Sequence, residues 1–100
     1  MAKVELRVYP PLSYEMTSKR LGPHVIEEKV DHAETLGDLL TRVSSDNQSA
    51  WKKIFNTNLC QMQQGILAVL NGTVLTWEKA PETCLSDGDQ VDFRITYLGG

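Results

Sequence analysis

The sequence predicts an α+β fold: a mixed sheet of four or five strands packed on one main helix, with a short second helical segment beside it. Three observations carry this expectation. Residues 3–9 and 91–96 alternate apolar and polar side chains, the period of strands with one buried face. Leu36, Leu39, Leu40 and Val43 recur at i, i+3, i+4 and i+7, a single apolar stripe on a helix. Asn71-Gly72 separates two β-rich runs, the strongest short signal for a hairpin.

The elements follow in order. Val4, Leu6 and Val8 share one face of a first strand over residues 3–9, and Pro10-Pro11 ends it because proline donates nothing to a ladder. Residues 11–22 read as a loop. Residues 24–30 form a second strand with Ile26 and Val30 on one face, pairing with the first across that long connection. Thr35 caps the helix and Asp38, three residues on, completes a capping box. Gly37 weakens the helix, and the polar residues 44–48 are expected to end it. Residues 48–55 suit a second helical segment with Trp51, Ile54 and Phe55 turned inward. Ile66-Leu67-Ala68-Val69-Leu70 suits a central strand covered on both faces. Residues 73–77 pair back on it, 78–86 form an irregular connection, and Asp87-Gly88-Asp89 turns the chain into a last strand.

Composition bounds the function. One hundred residues suit one domain, 1–100, ending in a Gly-Gly tail over 97–100 that is expected to be flexible. The chain is 41% hydrophobic with a net charge of −3, which argues against nucleic acid as a partner. Two cysteines are too few for a secreted disulfide framework. Charges interrupt the first apolar run, unlike a signal peptide, and no run approaches the ~20 apolar residues of a membrane span. A cytoplasmic protein without membrane contact is expected.

Four motifs in order resemble the MoaD/ThiS family of ubiquitin-like β-grasp sulfur carriers. Ile66-Leu67-Ala68-Val69-Leu70-Asn71-Gly72 is similar to that family's strand and turn, and Leu85-Ser86-Asp87-Gly88-Asp89-Gln90-Val91 to the turn before its last strand. Thr35-Leu36-Gly37-Asp38-Leu39-Leu40 resembles its helix start, and Gly99-Gly100 its ending. Two departures stand out. The approach to the glycines, Ile95-Thr96-Tyr97-Leu98, lacks the proline of molybdopterin-synthase small subunits, and residues 44–64 make a longer segment than in compact carriers.

The resemblance implies a ubiquitin-like β-grasp fold and a carrier rather than an enzyme. An E1-like enzyme would adenylate the Gly100 carboxylate, using ATP that the carrier itself does not bind. A sulfur donor, a cysteine desulfurase or rhodanese-type protein, would then supply the sulfur of a thiocarboxylate. Transfer would serve cofactor synthesis, with molybdopterin first and a larger molybdopterin-synthase-type subunit as partner. Thiamine, cysteine or another metabolite is the alternative acceptor, and conjugation through Gly100 to other proteins the alternative chemistry. Gly99 would give the tail access to a narrow site, since glycine lacks a Cβ. Tyr97, Leu98 and Phe93 are the candidate partner contacts, although Phe93 shares parity with the core positions Val91 and Ile95.

The remaining polar residues suggest structure. His24 and His32 lack ligand spacing, and no metal or bound cofactor is expected. Cys60 and Cys84 are expected as small buried apolar residues. Asp87-Gly88-Asp89 lacks the later ligands of a calcium loop. No phosphate-binding glycine loop or nucleophile elbow occurs in the chain.

Overall fold

The computed structural model describes residues 2–10, 23–46, 51–56, 59–76 and 78–95. Strand β1, Ala2–Val8, starts one residue before the expected position and buries Val4, Leu6 and Val8. It pairs antiparallel with β2, His24–Val30, over its full length. Helix α1, Leu36–Asp46, buries the expected stripe of Leu36, Leu39, Leu40 and Val43. Its capping box is complete: the Asp38 N–H donates to Thr35 Oγ1 at 3.1 Å and the Thr35 N–H to Asp38 Oδ2 at 3.2 Å.

The helix runs to Asp46, within the polar stretch 44–48 expected to end it. Thr41 Oγ1 donates to the Gly37 carbonyl and Ser45 Oγ to the Thr41 carbonyl, so the hydroxyls bond back along the helix and it continues. Ser44 itself is buried, and its Oγ has no hydrogen-bond partner. Arg42 ties the helix to β2 through Glu28 Oε1, the Lys29 carbonyl and Glu34 Oε2.

The long middle segment is not a full helix. Of the residues expected to be helical, 48–50 lie outside the described residues, and Trp51–Lys53 is a single 3-10 turn. The chain then extends into β3, Phe55–Asn56, which pairs antiparallel with β4, Gln61–Met62. The strand wins because opposing Phe55 to Met62 places both side chains in the core. The Gln63 N–H bonding the Ile54 carbonyl at 2.8 Å extends that pairing. Trp51, Ile54 and Phe55 are buried as expected.

Strand β5, Ile66–Leu70, and β6, Thr73–Leu75, form the expected hairpin. Asn71 and Gly72 both take positive φ, 48° and 86°, which a tight primed turn requires. β5 is not covered on both faces, however. Only Ala68 is buried, because helix α1 lies on one side of the sheet and leaves Leu67 and Val69 half-exposed on the other. The connection after β6 contains a 3-10 turn, Ala80–Glu82, and a single bridge from Cys84 to Thr35. The last strand, β7, is Gln90–Ile95.

The five long strands make one mixed sheet in the order β2-β1-β7-β5-β6. β7 runs parallel to β1 and antiparallel to β5. Hydrogen bonds join the turns that lead into it. The Lys3 N–H donates to Asp87 Oδ1 and the Gly88 N–H to the Lys3 carbonyl. Asn71 and Gln90 exchange two bonds of 2.8 Å, and Asn71 Nδ2 donates to Asp89 Oδ1.

Gly37 has a packing reason to be in the helix. A Cβ there would lie 2.8 Å from the Pro81 carbonyl oxygen and 3.1 Å from Pro81 Cβ. Gly37→Ala is therefore expected to destabilise the protein by about 1–3 kcal/mol despite alanine's higher helix propensity. Urea denaturation measures this directly, and a gain in stability would refute the close-packing account. Ser44→Ala should act oppositely. It removes an unsatisfied buried hydroxyl and leaves stability unchanged or raised by up to about 1 kcal/mol in the same assay.

Candidate functional site

The strand that precedes the Gly-Gly terminus lies in the middle of the sheet. Val91, Phe93 and Ile95 point to the core while Gln90, Asp92 and Arg94 face outward, the alternation expected from the sequence. Register fixes what surrounds the end of β7. Val8 lies opposite Phe93, and the Tyr9 N–H donates to the Phe93 carbonyl at 3.0 Å. On the other side Ile95 pairs with Ile66 and Arg94 with Leu67. The Arg94 guanidinium sits 3.8 Å from the centre of the Tyr9 ring, a cation–π contact over the outer face.

The outer face has two unlike halves. Toward β6, Leu67, Val69 and Val74 form an apolar strip, with Val69 directly opposite Val74 and Val74 58% exposed. Toward β2 the face is charged, with Glu5 opposite Glu27 and Lys3 opposite Lys29. Between them Arg7 Nε donates to Asp92 Oδ1 at 2.7 Å, with Glu5 at 3.6 Å and Gln90 Oε1 accepting from Nη2. The hydrogen bond to Asp92 raises the pKa of the Arg7 guanidinium against the opposing effect of burial, so Arg7 stays a cation.

The predicted site residues divide. Tyr97, Leu98, Gly99 and Gly100 lie outside the described residues. Phe93 is wholly buried, edge-on to Trp51 with ring centres 5.7 Å apart and planes at 85°. Phe93 is therefore a core residue and not a partner contact; its parity with Val91 and Ile95 already signalled this. The sequence reading missed the strip of Leu67, Val69 and Val74. Its signal was Arg94 and Asp92, whose ladder partners must share their outward face.

The cysteines are a second correction. Both are free and exposed. Cys60 takes a positive φ of 51° in the turn between β3 and β4, and Cys84 follows the 3-10 turn at its bridge to Thr35, positions at the surface. Among the described residues no three His, Cys, Asp or Glu side chains gather to hold a metal ion. No described helix is long and apolar enough to cross a membrane.

No family model and no curated protein matches the sequence. Solved structures do. Small archaeal modifier protein 1 (SAMP1) from Haloferax volcanii superposes with a TM-score of 0.68 at 18% identity, over 99% of this chain and all of that one. SAMP1 from Methanosarcina acetivorans gives 0.67 at 19%, over 100% and 98% of the two chains. A Pyrococcus furiosus protein, a candidate molybdopterin converting factor subunit 1, gives 0.66 at 14%, over 96% and 99%. Mixed sheet, single main helix and these likenesses define the class: the chain has the ubiquitin-like β-grasp fold. Its structural neighbours are small modifier and converting-factor proteins of that fold.

The Arg7–Asp92 pair gives a test of how β7 is held. Asp92→Asn is expected to cost about 1 kcal/mol at low salt and measurably less at molar salt, because the bond is charge-assisted and partly solvated. Denaturation at the two ionic strengths checks this; equal losses would mean that charge contributes nothing to the pairing.

Proposed function

We propose that this chain is a sulfur-carrier protein that works through Gly100. The observation that supports it most is the position of β7. The strand that leads to the Gly-Gly end is bonded on both sides, to β1 and β5, so a partner drawing on the tail pulls against the centre of the sheet. The β-grasp fold and the four sequence motifs agree with this reading.

The chemistry needs no catalytic side chain on the carrier. An E1-like enzyme joins the Gly100 carboxylate to the AMP portion of ATP and releases pyrophosphate. A persulfide on the donor, a cysteine desulfurase or rhodanese-type protein, attacks the acyl carbon and AMP leaves. A second thiol then cleaves the S–S bond, leaving a thiocarboxylate on the carrier. That sulfur passes to a cofactor precursor, with molybdopterin synthesis on a larger catalytic subunit as our first assignment. Gly99 lets the main chain enter a narrow site, and Tyr97 and Leu98 anchor the tail there. The setting is cytoplasmic, where thiols remain reduced.

A second reading has specific support. Three of the structural neighbours are named small archaeal modifier protein 1. In that case the same adenylate yields an isopeptide bond from Gly100 to a lysine.

Intact mass separates these readings. After incubation with ATP, the cognate activating enzyme and a sulfur donor, the protein should gain the mass difference of one oxygen replaced by sulfur. Deleting Gly100 should abolish both that species and adenylation. A truncated chain that is still loaded would sink the proposal. Conjugates of higher mass that survive reduction and denaturation would favour the modifier.

A further inference from the structure

The five-stranded sheet has two free edges, and they are unlike. β2 is a long edge of seven residues that carries His24, Glu27, Glu28 and Lys29, the kind of charge with which proteins keep edge strands apart. β6 is a short edge, Thr73–Leu75, with no ionisable residue. Beside it a groove of about 750 Å³ opens between the β3–β4 and β5–β6 hairpins. Met62, Ile66, Val74 and Leu75 give it apolar surface, and no described ionisable residue lines it. Leu59 and Val74, both on this groove, are 64% and 58% exposed, two of the three large exposed apolar side chains among the described residues.

The main chain adds a second observation. The Asn71 N–H donates to the Gln90 carbonyl at 2.8 Å, so Asn71 turns its polar main-chain groups toward β7. Such groups alternate sides along a strand. Leu70 therefore turns its own toward β6, where it closes the two-residue turn with Thr73, and Val69 turns its own toward β7. Val74 lies opposite Val69, in a pair that exchanges no hydrogen bonds across the hairpin, so the Val74 N–H and carbonyl point out from the free edge. Among the described residues, none outside the β5–β6 hairpin bonds either group.

We propose that two copies of this chain associate edge to edge through β6, antiparallel about a two-fold axis at Val74. The Val74 N–H of each copy then donates to the Val74 carbonyl of the other, so the outward pair of groups is satisfied by its own duplicate. Thr73 meets Leu75 of the second copy, and Thr76, which lines the groove, meets Gly72 of the second copy. Charge selects a second copy as the occupant. A two-fold contact sets each group near its own duplicate, so a charged edge repels itself and an uncharged edge does not. β6 and its groove meet that condition. β2 does not: laid against a copy about its middle residue, it would set Glu27 against Glu27. The joint leaves β7 out of contact, because β5 lies between β7 and β6 and holds them about 10 Å apart. The pairing therefore stands whether or not Gly100 carries sulfur.

Sedimentation velocity of the full chain tests this, in reducing buffer so that the exposed thiols of Cys60 and Cys84 do not link copies. A three-residue edge makes a small interface, so association depends on concentration. The mass is expected to rise from 11.2 kDa toward twice that value between about 10 μM and about 1 mM. Val74→Lys puts a charge on the edge and should weaken association by about tenfold or more. Its urea denaturation at low concentration should match that of the unaltered protein, because Val74 is exposed. Val74→Thr keeps the edge uncharged and β-branched and should associate within about twofold of the unaltered protein. In a mixture of isotope-labelled and unlabelled chains, filtered NMR should show cross-peaks between the Val74 methyls of the two copies. A chain that stays at 11.2 kDa throughout overturns the proposal, as does association that Val74→Lys leaves intact. Cross-peaks joining Val74 of one copy to β2 of the other also overturn it, because they assign a head-to-tail contact.

Discussion

The parallel pairing of β1 with β7 is the constraint on which the rest of the structure depends. These strands come from opposite ends of the sequence, yet Leu6 must meet Val91 and Val8 must meet Phe93 for the core to close. Side chains on a strand alternate faces, so a slip of one residue would carry Arg94 inward and Phe93 into solvent. Several contacts act against that slip. The turn at Asp87-Gly88 is pinned to the backbone of Lys3, Asn71 holds Gln90 by two bonds, and Arg7 reaches Asp92 across the ladder. Each joins residues far apart in sequence, so the register is set by the assembled sheet rather than by local preference.

The helix side of the core is built around a close approach. Helix α1 contributes four buried apolar side chains, but they do not cover the sheet alone. Trp51, Ile54, Phe55 and Met62, from the 3-10 turn and the β3–β4 hairpin, complete the layer, and Trp51 meets Phe93 edge-on. The chain after β6 must then return past the start of the helix, where Gly37 lets Pro81 sit against the helix backbone. The Leu36 N–H bonding the Thr83 carbonyl and the Leu85 N–H bonding the Glu34 carbonyl fix that return. A glycine that costs helix propensity is retained because the packing it permits outweighs about 1 kcal/mol.

Much of this was legible in the sequence, and the exceptions have physical causes. β1, β2, the capping box, the Asn71-Gly72 turn and β7 all follow from periodicity or local hydrogen bonding, which a sequence displays directly. The last described residue of the helix, Asp46, lies within the polar stretch 44–48 that was expected to end it, and Thr41 and Ser45 hydroxyls bond back to carbonyls within the helix. The β3–β4 hairpin was missed because two-residue strands leave no periodic trace and depend on Phe55 finding Met62. The outer face of β5 was misjudged for a similar reason. Leu67 and Val69 look like buried residues in a continuous apolar run, and only the sheet order shows that no layer covers them. The candidate site was legible only where it coincides with β7; Phe93 proved to belong to the core.

The two halves of the outer face differ in what a partner covering them would desolvate. Covering the β1–β2 half means desolvating Lys3, Lys29, Glu5 and Glu27, with like charges directly opposite each other across the pair. Covering the β5–β6 half desolvates mainly Leu67, Val69 and Val74, which favours association. A partner approaching over β5 and β6 also arrives beside the end of β7 and the Arg94–Tyr9 contact.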